Sequence, residues 1–249
     1  MSTFALIHGG GDVGWSWHMV EAELRASGHD VVAPDLPCED ESAGLNEYAD
    51  AVVDALLREG PVDALLREDP ADAAGGRRDL VVVGHSLGGF TAPLVADRLP
   101  TDLVVFVAGM IPAHGEPPGQ WVDNTGFSDA VREQAARDGG LTGNPDPYVS
   151  FYHDVARVLA EEAMSRERRQ SDAMDHTPWP LDAWPPAPSR FVLCTQDRFF
   201  PADFMRRQVA ERLHIVPDEI EAGHCVALSR PKELAHMLDG FTRPGEALG

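Results

Sequence analysis

The sequence is short of cysteine, of cations and of long apolar stretches, and each shortage removes a class of protein. Its three cysteines, Cys38, Cys194 and Cys225, are an odd number with no CxxC spacing, which argues against a disulfide framework and against a zinc site. Only 20 basic side chains stand against 41 acidic ones. The resulting net charge of −21 repels phosphate backbones and anionic headgroups, so neither nucleic acid nor a membrane surface is expected as a partner. No apolar run approaches the roughly 18 residues that cross a bilayer. The opening MSTFALIHGG enters a strand-like segment with no charged leader, long apolar stretch or small-residue cleavage site. With unpaired cysteines, this gives the expectation of a reducing, cytoplasmic setting.

What remains is an ordinary globular composition, 43% hydrophobic and 24% charged over 249 residues, enough for one well-buried α/β domain. Six short apolar or β-branched runs predict strands: Phe4 to His8, Asp30 to Ala33, Leu80 to Gly84, Leu103 to Ala108, Arg190 to Thr195 and Glu219 to Glu221. Longer stretches with helical spacing lie between them, at Trp15 to Ser27, Glu47 to Leu57, Leu87 to Arg98, Asp203 to Leu213 and Pro231 to Leu238. Alternation of this kind predicts a mostly parallel sheet of about six strands with helices on both faces. A nine-residue duplication beginning at Asp54 and again at Asp63 reads as a lengthened surface segment.

Between residues 112 and 188 the βα rhythm breaks. Pro112, Pro117 and Pro118 open this stretch, Val155 to Arg169 has helical spacing, and Pro178 to Pro188 closes it. We read it as a helical cap inserted into a core of residues 1–111 and 189–249. It carries Trp121, Trp179 and Trp184 with Phe127, Phe151 and Tyr152, enough aromatic surface to line a pocket. Trp121, Phe151, Tyr152 and His153 are the expected substrate-binding residues.

Four segments carry chemistry. Leu80-Val-Val-Val-Gly84-His85-Ser86-Leu87-Gly88 places Gly-x-Ser-x-Gly between a buried-strand run and a helix-like segment, the context that projects a serine Oγ above a sheet from a strained turn. Ser86 is the expected nucleophile. The Leu87 N–H then sits at a helix start, where free amides and the helix dipole favour negative charge. His8-Gly9-Gly10-Gly11 ends the first strand, and Gly10 is the expected second donor to an oxyanion. Arg190 to Thr195 leads to Asp197, an acid just past a strand end. Glu221-Ala-Gly-His224-Cys225 supplies a loop histidine, so the chain order Ser86, Asp197, His224 is that of a hydrolase triad. An imidazole can take the serine proton and return it to a leaving group, which is why a weak hydroxyl nucleophile needs it. Asp203 reads instead as a helix N-cap, Asp218 as a loop acid and His8 as structural.

With these elements in place the chain resembles the plant-type methylesterase and hydroxynitrile lyase branch of the α/β-hydrolases. The resemblance is carried by HGGGDVGWSW, GHDVVAPDLP, GHSLGG, TQDRFFP and EAGHCVALSRPKEL, on both flanks of the cap. It implies a cofactor-free enzyme with a small helical cap, acting on modest-sized esters or cyanohydrins. The lyases of that branch have a lysine after the catalytic histidine and commonly a threonine in the oxyanion loop; this sequence has Cys225 and Gly10 there. Both departures point to a serine esterase acting on a small-molecule ester, as a monomer or homodimer. A lyase, a cofactor-free oxygenase or a ligand receptor that keeps the triad remain the alternatives, because fold does not fix function.

Overall fold

In a computed structural model, residues 1–59 and 79–243 are described. Strands β1 (Ser2–Ile7), β2 (Asp30–Val32), β3 (Asp79–His85), β4 (Leu103–Val107), β5 (Ser189–Cys194) and β6 (Asp218–Ile220) form one sheet in the order β2-β1-β3-β4-β5-β6. Every strand pair is parallel. Most of the duplicated segment lies outside the described residues.

Side chains on a strand alternate between faces, and here each face finds its own core. Phe4, Leu6, Val81, Val83, Val105 and Val107 pack on one side with Val20, Leu24, Leu234 and Leu238. Those partners come from α1 (His18–Ala26) and α9 (Pro231–Phe241). Ala5, Ile7, Leu80, Val82, Val104 and Phe106 pack on the other side. Their partners lie on α2 (Leu45–Glu59), α3 (Ala92–Arg98) and α8 (Ala202–Arg212). A sheet covered on both faces requires continuous apolar runs, which is why β4 reads LVVFV with all five residues buried. Each such side chain contributes about 1.5–3 kcal/mol by leaving water, so a charge at Val82 or Val105 would unfold the sheet's centre.

Between β4 and β5 run four α-helices, α4 (Pro118–Thr125), α5 (Phe127–Asp138), α6 (Pro147–Ser150) and α7 (Arg157–Arg166), followed by a 3₁₀ turn at Met174–His176. The sequence reading expected only α7 of these, as a longer helix over Val155 to Arg169. It placed Pro117 and Pro118 in the Pro-rich entry of the segment; Pro118 stands in the first turn of α4, where a missing N–H is harmless. Gly126, with φ 71°, then separates α4 from α5. Two further expectations are corrected. The N-cap of α8 is Pro201, and Asp203 lies inside its first turn, paired with Arg206; Asp218 belongs to β6 and pairs with Arg190. Among the described residues no helix is long and apolar enough to cross a membrane.

Strand β1 is followed outward by β2, and the chain then returns to place β3 on the other flank of β1. The crossovers therefore diverge between β1 and β3, opening a crevice above their C-terminal ends. His8 to Gly11 and Ser86 both emerge there.

Candidate active site

Strand β3 ends in a tight elbow where Ser86 has φ 51°, a left-handed conformation that strains a residue with a Cβ. Surrounding backbone holds it in place. A Cβ on Gly84 would stand 2.6 Å from the Gly88 carbonyl oxygen, and one on Gly88 would stand 2.7 Å from that of His8, so neither site admits a side chain. The Met110 N–H donates to the Ser86 carbonyl at 2.9 Å. The chain then enters a 3₁₀ turn, Ser86–Gly89, which puts the Leu87 amide among the first N–H groups of a helical segment.

The glycine loop after β1 runs alongside this elbow. A Cβ on Gly9 would lie 3.6 Å from Ser86 Oγ, and one on Gly10 would lie 3.1 Å from Leu87 Cδ2. Gly10 and Leu87 thus meet at the serine, as the strand order requires. The neighbouring Gly11 N–H donates to Gln170 Oε1 at 3.1 Å. His8 is structural: its Nδ1 bonds the Gly9 carbonyl at 2.8 Å and its Nε2 accepts the Leu36 N–H at 3.0 Å. Burial pushes its pKa down, consistent with a neutral ring.

His224 stands on the loop after β6, and its Nδ1 bonds Asp197 Oδ2 at 2.8 Å with both side chains buried. The other carboxylate oxygen, Oδ1, accepts the N–H groups of Phe199 at 2.7 Å and Phe200 at 3.0 Å. Those two amides fix the plane of the carboxylate, which in turn fixes the imidazole. With Nδ1 engaged, Nε2 is the nitrogen left for Ser86, and the two residues line one cavity. His85 adds a brace, its Nε2 bonding the His224 carbonyl at 2.9 Å. Burial, reinforced by His224, pushes its pKa down to about 3. The His85 ring is therefore neutral at ordinary pH and can donate that Nε2–H.

The space around Ser86 has two lobes. One, of about 440 Å³, is walled by Leu87, Met110, Trp121, Phe127, Phe199 and Phe200. The other, of about 280 Å³, is lined by His224 and His85 together with Asp12, Tyr152, Glu167 and Cys225. Gly10, Ser86 and Phe151 belong to both.

The expected substrate-binding residues therefore divide. Phe151 and Tyr152 line the site, and Trp121 forms a fully buried wall of the aromatic lobe, its Nε1–H donating to the Ile111 carbonyl at 3.0 Å. His153 is corrected: it is not among the residues lining either lobe, and its Nε2 bonds the Gln196 carbonyl at 2.9 Å. It packs behind the histidine loop, next to Asp154, whose carboxylate accepts the Gly223 N–H at 2.8 Å. Trp179 and Trp184 meet in a tilted pair with centroids 5.5 Å apart, and neither lines the lobes around the serine.

Sequence reasoning missed Asp12, Glu167, Phe199 and Phe200. The two phenylalanines were legible as the residues following Asp197, but Glu167 comes from a loop whose approach to Asp12 no local pattern announces.

A serine on a strained turn after a central strand, a buried His224–Asp197 pair and a glycine loop beside that serine, all set on a parallel sheet, are the arrangement of an α/β-hydrolase. The family model described as "Alpha/beta hydrolase family" matches residues 4–237, and the chain belongs to that family. It is 25% identical to Methylesterase 7 of Arabidopsis thaliana over 94% of each chain. A further relative, Norfluorocurarine synthase 1 of a Strychnos species, is 24% identical over 94% of this chain and 93% of that one. Probable esterase PIR7A of Oryza sativa is 37% identical, over 47% of this chain and 42% of its own. Among solved structures, polyneuridine aldehyde esterase superposes with a TM-score of 0.72 at 20% identity, over 98% of this chain and 100% of that one.

Proposed function

We propose that the chain hydrolyses a small to medium carboxylic ester through an acyl-serine intermediate. The observation that carries this reading is Ser86, held at positive φ, sharing one cavity with a histidine whose Nδ1 is bonded to buried Asp197. His224 Nε2 removes the Oγ proton as Oγ bonds to the ester carbonyl carbon. The Leu87 and Gly10 amides stabilise the oxyanion, an interaction worth about a hundredfold or more in rate per donor. As the carbonyl–alkoxy bond breaks, His224 returns the proton to the departing alcohol. A water then repeats the attack, giving its proton to His224, and the acid leaves as Oγ recovers that proton. Side chains, backbone amides and water are the only participants.

Two of the three curated relatives, a methylesterase and a probable esterase, have names that support the same chemistry. The position after His224 supports hydrolysis over cyanide release, since burial, with Asp12 and Asp197, pushes the Cys225 thiol well above its ordinary range. A neutral thiol offers no cation to a departing cyanide. Arg198 and Arg230 do not replace it: they donate to the Val149 and Ser229 carbonyls and line neither lobe. On this reading residues 112–188 are the cap that shapes both lobes. The test is a fluorophosphonate probe beside a panel of p-nitrophenyl and methyl esters. A single adduct on Ser86 with turnover of part of the panel is expected; an adduct on a different serine, or silence across the panel, overturns the reading.

A further inference from the structure

The two lobes differ in chemistry, and the position of His224 tells which part of an ester enters each. Only the smaller lobe is lined by His224, and the group that protonates the leaving alcohol must lie beside it. The alcohol portion therefore occupies that lobe, and the acyl portion takes the aromatic one, with Ser86 and Gly10 at the junction.

Among the described residues, the alcohol lobe is lined by Asp12 and Glu167 and by no lysine or arginine. Of the arginines nearest in sequence, Arg166 pairs with Glu162 and lies over the Trp15 ring, while Arg168 donates to the backbone carbonyls of Asp12 and Leu36 and lines neither lobe. Tyr152 donates its hydroxyl to Glu167 Oε1 at 2.9 Å, and Phe151 adds a second aromatic face. Burial is the chief cause that raises the pKa of Glu167, with Asp12 adding to it and the Tyr152 hydroxyl bond opposing it; burial is likewise the chief cause for Tyr152, with Cys225, Glu167 and Asp12 adding to it.

A small chamber of about 20 Å³ continues from this lobe, lined by Asp12, Tyr152, Cys225 and Trp17. The Trp17 side chain is fully buried, and its Nε1–H has no partner among the described residues.

Resting on the ester hydrolysis proposed above, the geometry points to an ester of a cationic amino alcohol as the preferred substrate, its protonated or quaternary nitrogen between Asp12, Glu167 and the Phe151 and Tyr152 rings. Carboxylates and aromatic faces converging on a partly enclosed site are the chemistry that recognises such a cation. An alcohol bearing a carboxylate or phosphate is repelled by the same groups.

The test pairs two phenylacetate esters of matched shape, one of 2-(trimethylammonio)ethanol and one of its neutral isostere 3,3-dimethylbutanol. At low ionic strength kcat/KM is expected to favour the cationic ester by about tenfold or more. That ratio should fall toward one in about 0.5 M salt, and in the isosteric Asp12→Asn/Glu167→Gln variant. Both amides keep an acceptor for the Val13 N–H and the Tyr152 hydroxyl, so the fold is preserved. A ratio of one or below in the wild type, with both esters turned over, overturns the inference and leaves the esterase reading standing. Calorimetric binding of both esters to Ser86→Ala reads the charge preference without turnover. Tighter binding of the cation supports the inference even if the wild type hydrolyses neither ester, since the esterase reading itself is decided by the wider ester panel and the Ser86 adduct. Equal affinities overturn the inference.

Discussion

Strand β4 buries all five of its side chains, whereas α5, which is twelve residues long, buries none. The sheet and the 112–188 segment are accordingly held by different forces. The sheet rests on two apolar cores that no single contact decides. The segment is tied to it by separate anchors, among them Trp121, Met174 and Trp179 in the larger core, the Glu116–Arg212 pair, and Asp154 on the Gly223 amide. On the proposed reading, the groups that must hold sub-ångström geometry, Ser86, Asp197 and His224, all stand on the rim of the sheet, and the groups that would choose a substrate are shared with the segment, which could change its lining without disturbing the rim.

If that division is real, substitutions on the rim remove the reaction and spare the fold. Ser86→Ala carries the largest expected effect, a loss of kcat by about a millionfold on the pattern of other serine triads. Its melting temperature should be unchanged or higher, since alanine removes a hydroxyl from a strained turn that the backbone contacts still enforce. Calorimetry beside a rate assay checks both; a large fall in stability would mean that the hydroxyl, and not the surrounding backbone, holds the elbow. Asp197→Asn comes next, with kcat lower by about 10⁴-fold and KM little changed. The amide nitrogen would face either the imidazole Nδ1–H or the two backbone donors at Phe199 and Phe200. A variant with near-normal kcat would show that His224 is oriented by its packing on Phe151, Phe199 and Phe200 instead.

The same division explains what could be read from the sequence. All six strands were legible within a residue or two, because a sheet buried on both faces writes continuous apolar runs such as Leu80 to Val83. The positions of Ser86, Asp197 and His224 followed, since strand ends fix where a loop residue emerges. Helices α4 and α5 were not legible: α5 has almost no apolar stripe, and the prolines before α4 are equally at home in a loop. Asp12 was in plain view after three glycines, but its meaning depends on Glu167, 155 positions away in sequence and adjacent only through the fold. His153 was misplaced because its neighbours Phe151 and Tyr152 do reach the cavity; the turn that follows them carries it behind Gly223.

Within the segment, Trp121→Ala tests whether selection and stability separate there. Trp121 is fully buried, bonded to the Ile111 carbonyl and packed edge-on against Phe200 and Phe204, so its truncation should cost about 3–5 kcal/mol. A melting temperature lower by roughly 10 °C is expected, together with a reordered preference among acyl groups. Reordered preference without loss of stability would place Trp121 in a freely adapting wall and weaken the claim that it anchors the segment to the core.

The smallest effect belongs to Glu116, which joins the segment to α8. Its carboxylate takes two bonds from Arg212, at 2.5 and 3.0 Å, one from Asn124 Nδ2 at 2.8 Å and one from the Ala113 N–H at 3.1 Å. Burial by itself would raise the Glu116 pKa, but the Arg212 and Asn124 bonds outweigh it and hold the group below its ordinary value. A carboxyl depressed in the folded state stabilises the fold above its unfolded pKa of about 4.3, and that contribution fades as pH falls through the lower folded value. Glu116→Gln leaves the Arg212 guanidinium largely buried without its counter-charge, which should cost about 3 kcal/mol at neutral pH. The gap in melting temperature between wild type and Glu116→Gln should therefore hold steady from pH 7 to about pH 5. Below about pH 4 it should narrow, because the wild-type carboxyl protonates and comes to resemble the amide. Thermal melts of both proteins across that range decide the matter. A gap that stays constant into strong acid would mean that Arg212 is held by the Ile111 carbonyl, to which it also donates at 2.6 Å, and that the segment is fastened to α8 without any contribution from charge.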